Sequence, residues 1–390
     1  YQGTDVNVID KPSLNFDGLR PQINSLWYGA MSFDVDQQRY VLEGFLNYGA
    51  EGQTYVATQQ STSKKVAVKF CNDRESMEVK LLKQMPRQLV IHPNFLSYEL
   101  IVQDVYSHFS PAHHILIMDY VPNGELFELL ASAELDVAGK PVSQGTSRRF
   151  LHDVISGMAE CYRFGVTHRD LKPENLLINA EGRIVIIDLG HAKRGEPLNR
   201  GSSLAARTST TNVYGTVAFN APEVHSRKSY DCEASDVWSV GVIAFYLHAK
   251  LPPFTVAGGV ATWDDIKDAS NDSFWNKIST SGYYPEFPEG LKGFINTLWR
   301  STPSLRPTFS QLEEAMGGDA DMIANFPGLQ WLAEPTNDAE AFIDELRRSC
   351  PGKTFVLPKH LESVSTVVPG SSAEATVEGD SSAAAHEGEE

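Results

Sequence analysis

The segment HRDLKPEN, His168 to Asn175, gathers three side chains suited to polar chemistry: Asp170, Lys172 and Asn175. Another carboxylate, Asp188, ends the run RIVII at 183–187 and is followed by Leu189 and Gly190. Asn175 and Asp188 are hard oxygen donors of the kind magnesium prefers. With Lys172 close in sequence, the residue types suit chemistry on an anionic group. Upstream, VAVKF sets Lys69 on an alternating strand, with Val66 and Val68 on one face and Ala67 and Lys69 on the other. Taken singly, each has a plainer reading: an aspartate after a strand is usually a turn residue, and a lone histidine such as His168 is usually a satisfied core group. Their joint order along the chain carries the weight.

These residues need elements to hold them. From Tyr40 to Tyr120 short β-rich runs dominate (YVLEGFLNY, QTYVATQ, KKVAVKF, FLSYELIVQD, HILIMDY), which predicts a small, mostly antiparallel sheet. One helix interrupts them, with Met77, Leu81, Leu82 and Met85 at helical spacing and a stop at Pro86. Past Pro122 the pattern turns helical. TSRRFLHDVISGMAECYRFG places Phe150, Leu151, Val154, Ile155, Met158, Ala159 and Tyr162 on one face and ends at Gly165. Further helices are expected at Val237–His248, Leu291–Trp299 and Phe309–Met316, and a hairpin at NLLI-NAEG-RIVII. The fold class is therefore α+β, with a small antiparallel lobe carrying one helix and a larger, mainly helical lobe.

Composition narrows the partners. The 390 residues carry a net charge of −17, which argues against nucleic acid and anionic membrane surfaces. Cys71, Cys161, Cys232 and Cys350 lie far apart, so neither a disulfide framework nor a zinc ribbon is expected, and a reducing compartment fits. The chain opens YQGTDVNVID, without methionine or a signal-peptide pattern, so its natural start is expected upstream. Val237–Leu251 is apolar but short of the ~20 residues of a membrane span, and reads as a buried core helix. Beyond Gly317 one helix is expected at Asp338–Arg348, and residues 359–390, with seven acids and one lysine, read as a disordered acidic tail.

With the motifs in this order, the chain resembles eukaryotic-type protein kinases of the serine/threonine branch over roughly Tyr40 to Met316. The resemblance implies a bilobal fold: a lead-in at 1–39, an N-lobe at 40–121, a C-lobe at 122–316, an extension of unassigned role at 317–358, and the tail. It implies ATP and Mg²⁺ as cofactors and serine or threonine hydroxyls of proteins as acceptors. It makes Asp170 the residue that receives the hydroxyl proton, Lys172 the cation beside the moving phosphate, and Asn175 and Asp188 the metal ligands.

Lys69 then holds the α- and β-phosphates and pairs with Glu78, Glu75 being the alternative. In LNYGAEGQTYVA, Gly49 and Gly52 match the later glycines of the nucleotide loop, while Asn47 replaces the first and Thr54 the usual valine. Ala67 flanks the adenine, Met118 is the gatekeeper, Asp119 and Val121 offer backbone groups, and Leu177 closes the base from below. Glu125 completes the cofactor set and, with Glu174, matches acids that bind arginines before the target residue, although Tyr246 replaces a further acid. The resemblance also implies a Glu223–Arg306 ion pair, Asp236 bracing the catalytic loop and Thr216 bonding Asp170 and Lys172. Leu189 stands where phenylalanine is usual and should pack against His168 and Leu82.

An upstream kinase is expected to act at Thr210 or Thr211, in preference to Ser203 or Thr208, and to order the loop through Arg169. The expected protein is an intracellular monomer, cytoplasmic or nuclear. The competing reading is a pseudokinase, a binding module on the same fold. A small-molecule phosphotransferase fits less well, because APE and DVWSVG are both present.

Overall fold

The computed structural model describes residues 7–10, 15–17, 32–35, 37–49, 52–85, 91–103, 113–131, 142–195, 209–226, 228–253, 263–265, 271–336, 338–350 and 352–357. The acidic tail, Pro86, Ser203 and Thr208 lie outside them.

Among the described residues the N-terminal sheet has eight strands: β1 (Asn7–Asp10), β2 (Asn15–Asp17), β3 (Ser32–Val35), β4 (Gln38–Gly49), β5 (Gly52–Gln59), β6 (Lys64–Cys71), β7 (Tyr98–Gln103) and β8 (His114–Asp119). Their order is β1-β7-β8-β6-β5-β4-β3-β2. The sheet thus begins upstream of Tyr40, and the stretch expected to be a lead-in contributes three of its strands. These pieces are too short to show a period, yet Phe33 and Val35 of β3 are both buried. The pairing is antiparallel except β1 with β7, which is parallel, so the sheet is mostly antiparallel, as the sequence predicts.

Alternation decides what faces where. Val66 and Val68 enter a core with Phe33, Tyr40, Leu42, Val102 and Ile117, which leaves Ala67 and Lys69 for the opposite face. Helix α1 (Met77–Leu82) is capped by the Ser76 hydroxyl, which accepts from Val79 N at 3.3 Å. Leu81, Leu82 and Met85 are buried as the spacing predicts, but Met77 is exposed, because Glu78 takes the inner position of that turn.

In the larger lobe, α2 (Leu126–Ala131) precedes α3 (Gln144–Arg163), which buries all seven residues of its predicted stripe and ends at Gly165, φ 72°. Next come β9 (Val166–Thr167) and the hairpin of β10 (Leu176–Ile178) with β11 (Ile184–Ile186). In its turn, the Asn179 carboxamide oxygen accepts from Glu181 N and Arg183 N, both at 2.9 Å. The short strands β12 (Lys193–Arg194) and β13 (Ser209–Thr210) pair with β9 and with β14 (Tyr230–Asp231).

Helix α4 (Cys232–Ala249) is buried on every side, as expected of a core helix, and Asp231 caps it. Around it lie α5 (Asp272–Thr280), α6 (Glu289–Leu298) and α7 (Phe309–Met316), with Trp238 stacked on Trp299 at 5.6 Å. Three more helices follow: α8 (Ala320–Asn325), α9 (Gln330–Ala333) and α10 (Ala339–Ser349), the last at the predicted place. No helix among the described residues is long and apolar enough to cross a membrane.

Candidate active site

Strand β6 carries Lys69 into the cleft, and α1 brings the acid that meets it. Lys69 Nζ lies 2.5 Å from Glu78 Oε2. Glu75 instead pairs with Lys80 at the surface, so the alternative partner is excluded. The other oxygen of Glu78 accepts from the Tyr98 hydroxyl at 2.8 Å, a contact the sequence did not signal because Tyr98 reads as an ordinary strand aromatic. Burial works against the Lys69 ammonium, but Glu78 and then Asp188 outweigh it and hold its pKa well above the usual lysine value.

The loop between β9 and β10 converges on Asp170, which is 6% exposed. Its Oδ1 accepts from Thr216 N (2.8 Å) and the Thr216 hydroxyl (3.0 Å), and its Oδ2 lies 2.9 Å from Lys172 Nζ. Asn175 donates to the Asp170 carbonyl at 2.8 Å, and Lys172 also reaches Thr216 Oγ1 at 2.9 Å. Burial alone would raise the Asp170 pKa. The neighbouring His191 and Lys172 more than offset it and hold the carboxyl well below the usual range.

The loop is braced from beneath. Asp236 of α4 accepts from His168 N (2.9 Å), Arg169 N (2.8 Å) and the Tyr162 hydroxyl (3.0 Å). His168 Nε2 bonds the Ile187 carbonyl at 2.9 Å, one residue before Asp188. Asp188 and Arg169 both have positive φ, 64° and 66°, a conformation costing about 1–3 kcal/mol that concentrates at functional positions. Leu189, His168 and Leu82 are all buried.

The roof and back of the cleft complete the set. Asn47 pairs with Thr54, Gly49 with Gly52, Thr54 with Lys69, and Ala67 with Met118. A Cβ on Gly52 would sit 1.8 Å from the Phe70 carbonyl oxygen, so no other residue fits there. The Asp119 amide donates to Ser97 O at 3.0 Å, leaving its carbonyl as what it can offer a base; Val121 follows two residues on. Leu177 bridges Glu125, whose pKa is raised by burial and then by Glu128 and Glu174. Across the cleft, Asn47 Nδ2 donates to Glu125 Oε1 at 3.2 Å, a second contact that the sequence did not announce.

The profile of the protein kinase domain matches residues 40–316, most of the chain. The chain belongs to the protein kinase family. It is similar to CBL-interacting protein kinase 28 of Oryza sativa subsp. japonica, 30% identical over 72% of this chain and 59% of the relative. CBL-interacting serine/threonine-protein kinase 18 of Arabidopsis thaliana is 33% identical over 55% of this chain and 39% of its own length. A probable myosin light chain kinase of Dictyostelium discoideum is 32% identical over 76% of this chain and 83% of its own. The chain spans 59% and 39% of the lengths of these two plant relatives.

Arg169 stacks over the Tyr214 ring at 4.5 Å, and its buried Nε has no hydrogen-bond partner. Thr210 pairs with Tyr230 between β13 and β14, and Thr211 is exposed. Glu223 and Arg306 form a two-pronged ion pair at 2.5 and 2.9 Å.

His191, three residues past Asp188, was not singled out by its sequence; its Nδ1 lies 3.6 Å from Asp170 Oδ2. That contact with the Asp170 carboxylate raises the His191 pKa, against burial. A raised folded value adds stability below the ordinary 6.5 that is lost as pH rises through the folded value. Thermal unfolding should therefore separate wild type from His191→Ala more at pH 6 than at pH 9. An equal gap at both would refute the contact.

Proposed function

We propose that this chain is an ATP- and Mg²⁺-dependent serine/threonine kinase that transfers the γ-phosphate of ATP to hydroxyls of protein substrates. The reading rests on one observation above others: Lys172, Asn175 and Thr216 converge on Asp170 while the Lys69–Glu78 pair stands intact. The donor set fits a magnesium nucleotide. Among the described residues no cluster of three His, Cys, Asp or Glu side chains could hold a metal. Asn175 and Asp188 would therefore share the ion with phosphate oxygens and water, as magnesium sites usually do. When bound, the ion neutralises phosphate charge.

The chain's own groups do the rest. Lys69, held by Glu78, binds the α- and β-phosphates, and Gly52 lets the strand run close above them. Asp170 orients the acceptor hydroxyl and takes its proton on a carboxylate oxygen. Lys172 steadies the charge of the moving group, and Thr216 fixes Asp170. Excess chelator should abolish transfer to a protein substrate, and magnesium should restore it. Transfer that survives chelation would defeat the metal's part.

Asn47, the one feature that favours a pseudokinase, has a compatible role. Its Oδ1 accepts from Tyr48 N at 2.7 Å, which turns Nδ2 toward Glu125 and orients that carboxylate for the ribose edge. Asn47→Ala should raise KM for ATP about fivefold, the value of one hydrogen bond near 1 kcal/mol, and do nothing in a Glu125→Ala background. Additive effects in the double variant would remove the coupling.

Basic residues before the target serine suit the acids Glu125, Glu128 and Glu174. The unpartnered Nε of Arg169 supports a phosphate placed on Thr210 or Thr211 by an upstream kinase. The protein acts as an intracellular monomer in this reading.

A further inference from the structure

The family match stops at Met316, yet the fold does not. Beyond it, Trp331 and Phe342 pack on α3, the Trp331 indole donating to Gln144 Oε1 at 2.9 Å. Phe342 packs edge-on against Phe150 at 5.8 Å, and Arg149 covers its other side at 4.6 Å. Glu345 meets the start of α3, accepting from Ser143 N (3.3 Å), the Ser143 hydroxyl (2.8 Å) and the Thr146 hydroxyl (2.6 Å). Arg148 pairs with Glu334 at 3.0 Å.

The segment then returns to the site. Asn123, 1% exposed and two residues past Val121, donates through Nδ2 to the Asn179 and Thr354 carbonyls, both at 2.9 Å. Its Oδ1 accepts from Thr354 N at 3.0 Å, so every polar atom of the carboxamide is used. Val356 N adds a bond to Ala180 O at 2.8 Å. Phe342 and Leu346 crowd Gly182, each 2.7 Å from where a Cβ would stand.

The contacts at Asn179, Ala180 and Gly182 fall on one turn, Asn179–Gly182. From the other side Asp153 of α3 holds the same turn, through Arg183 Nε at 2.7 Å and Ile184 N at 2.9 Å. The strands that leave the turn end at Asn175 and Asp188, and Ile187 N bonds the Asn175 carbonyl at 3.0 Å. Three residue pairs separate turn from ligands, a short lever of about 10 Å at the usual rise per strand residue.

We propose that residues 319–356, through Asn123, position the hairpin that carries Asn175 and Asp188, making this extension a working part of the phosphotransfer site. The inference rests on the kinase reading for its consequence and on geometry for its cause. The test separates the two. Truncation after Met316 would bare Phe150 and Phe294 and risks unfolding, so the full chain carrying Asn123→Ser is compared with wild type well below its unfolding temperature. Hydrogen–deuterium exchange of amides at 176–187 should quicken at least fivefold. The magnesium concentration for half-maximal rate should rise at least threefold with KM for the peptide unchanged. Unchanged hairpin exchange would overturn the proposal. Faster exchange with unaltered magnesium dependence would reduce the clamp to a structural support and overturn it equally. Faster exchange in the variant, beside a wild type that shows no phosphotransfer, would uphold the clamp and defeat the kinase reading.

Discussion

Replacing Asp170 by asparagine is expected to lower kcat by about 10²- to 10⁴-fold, the usual worth of a positioned general base, with nucleotide affinity unchanged within about twofold. The geometry makes the two halves of that result separable. Asp170 is held by Thr216, Lys172 and the Asn175 amide, whereas Lys69, Glu78 and Tyr98 form their own group on the other lobe. Asparagine can still accept from Thr216. Its new amide, however, would face Lys172 and the Asn175 amide, donor against donor, and it cannot take a proton. Initial rates at saturating ATP, beside titration of a fluorescent nucleotide, measure both. A kcat within about threefold of wild type would remove Asp170 from the proton's path.

The largest stability loss should follow from Glu223→Ala. Arg306 is fully buried at its side chain and gives two bonds to Glu223, one to Ala234 O (2.8 Å) and one to Arg300 O (2.9 Å), beneath the Trp238 ring at 4.9 Å. Removing the carboxylate strands a cation where water cannot reach it, at a cost of about 3–5 kcal/mol. For a chain of this size that lowers Tm by roughly 4–6 °C. Arg306→Lys with Glu223 intact should also destabilise, because a single ammonium cannot meet both oxygens of Glu223 and two carbonyls. Denaturant unfolding that gave a loss below about 1 kcal/mol for Glu223→Ala would contradict this.

What the sequence made legible was what is local. The α3 stripe, the alternation around Lys69 and the Asn179 turn are set by spacing within one element, and each stands where the spacing puts it. Catalytic-loop residues were legible for a different reason, since eight consecutive residues and a carboxylate downstream form a chemical pattern. Long-range partnerships came only with the family resemblance, as for Glu223–Arg306 and Thr216–Asp170, and outside it they were not legible. Tyr98 meets Glu78 from 20 residues away, Asn47 meets Glu125 from 78, and Asn123 meets Thr354 from 231. No periodicity encodes such pairs. Strands as short as β2 leave no period to read, and Met77 fits the helical spacing yet faces water because Glu78 has the inward role.

The account stands or falls on phosphotransfer itself. Purified chain, wild type and Lys69→Met, would be given Mg-ATP and a proteome-derived peptide library, and phosphopeptides counted by mass spectrometry. New phosphate on serine and threonine with wild type, absent with Lys69→Met, is the expected result. ATP binding by wild type without phosphopeptides above the Lys69→Met control would contradict the account and leave a nucleotide-binding module on a kinase fold.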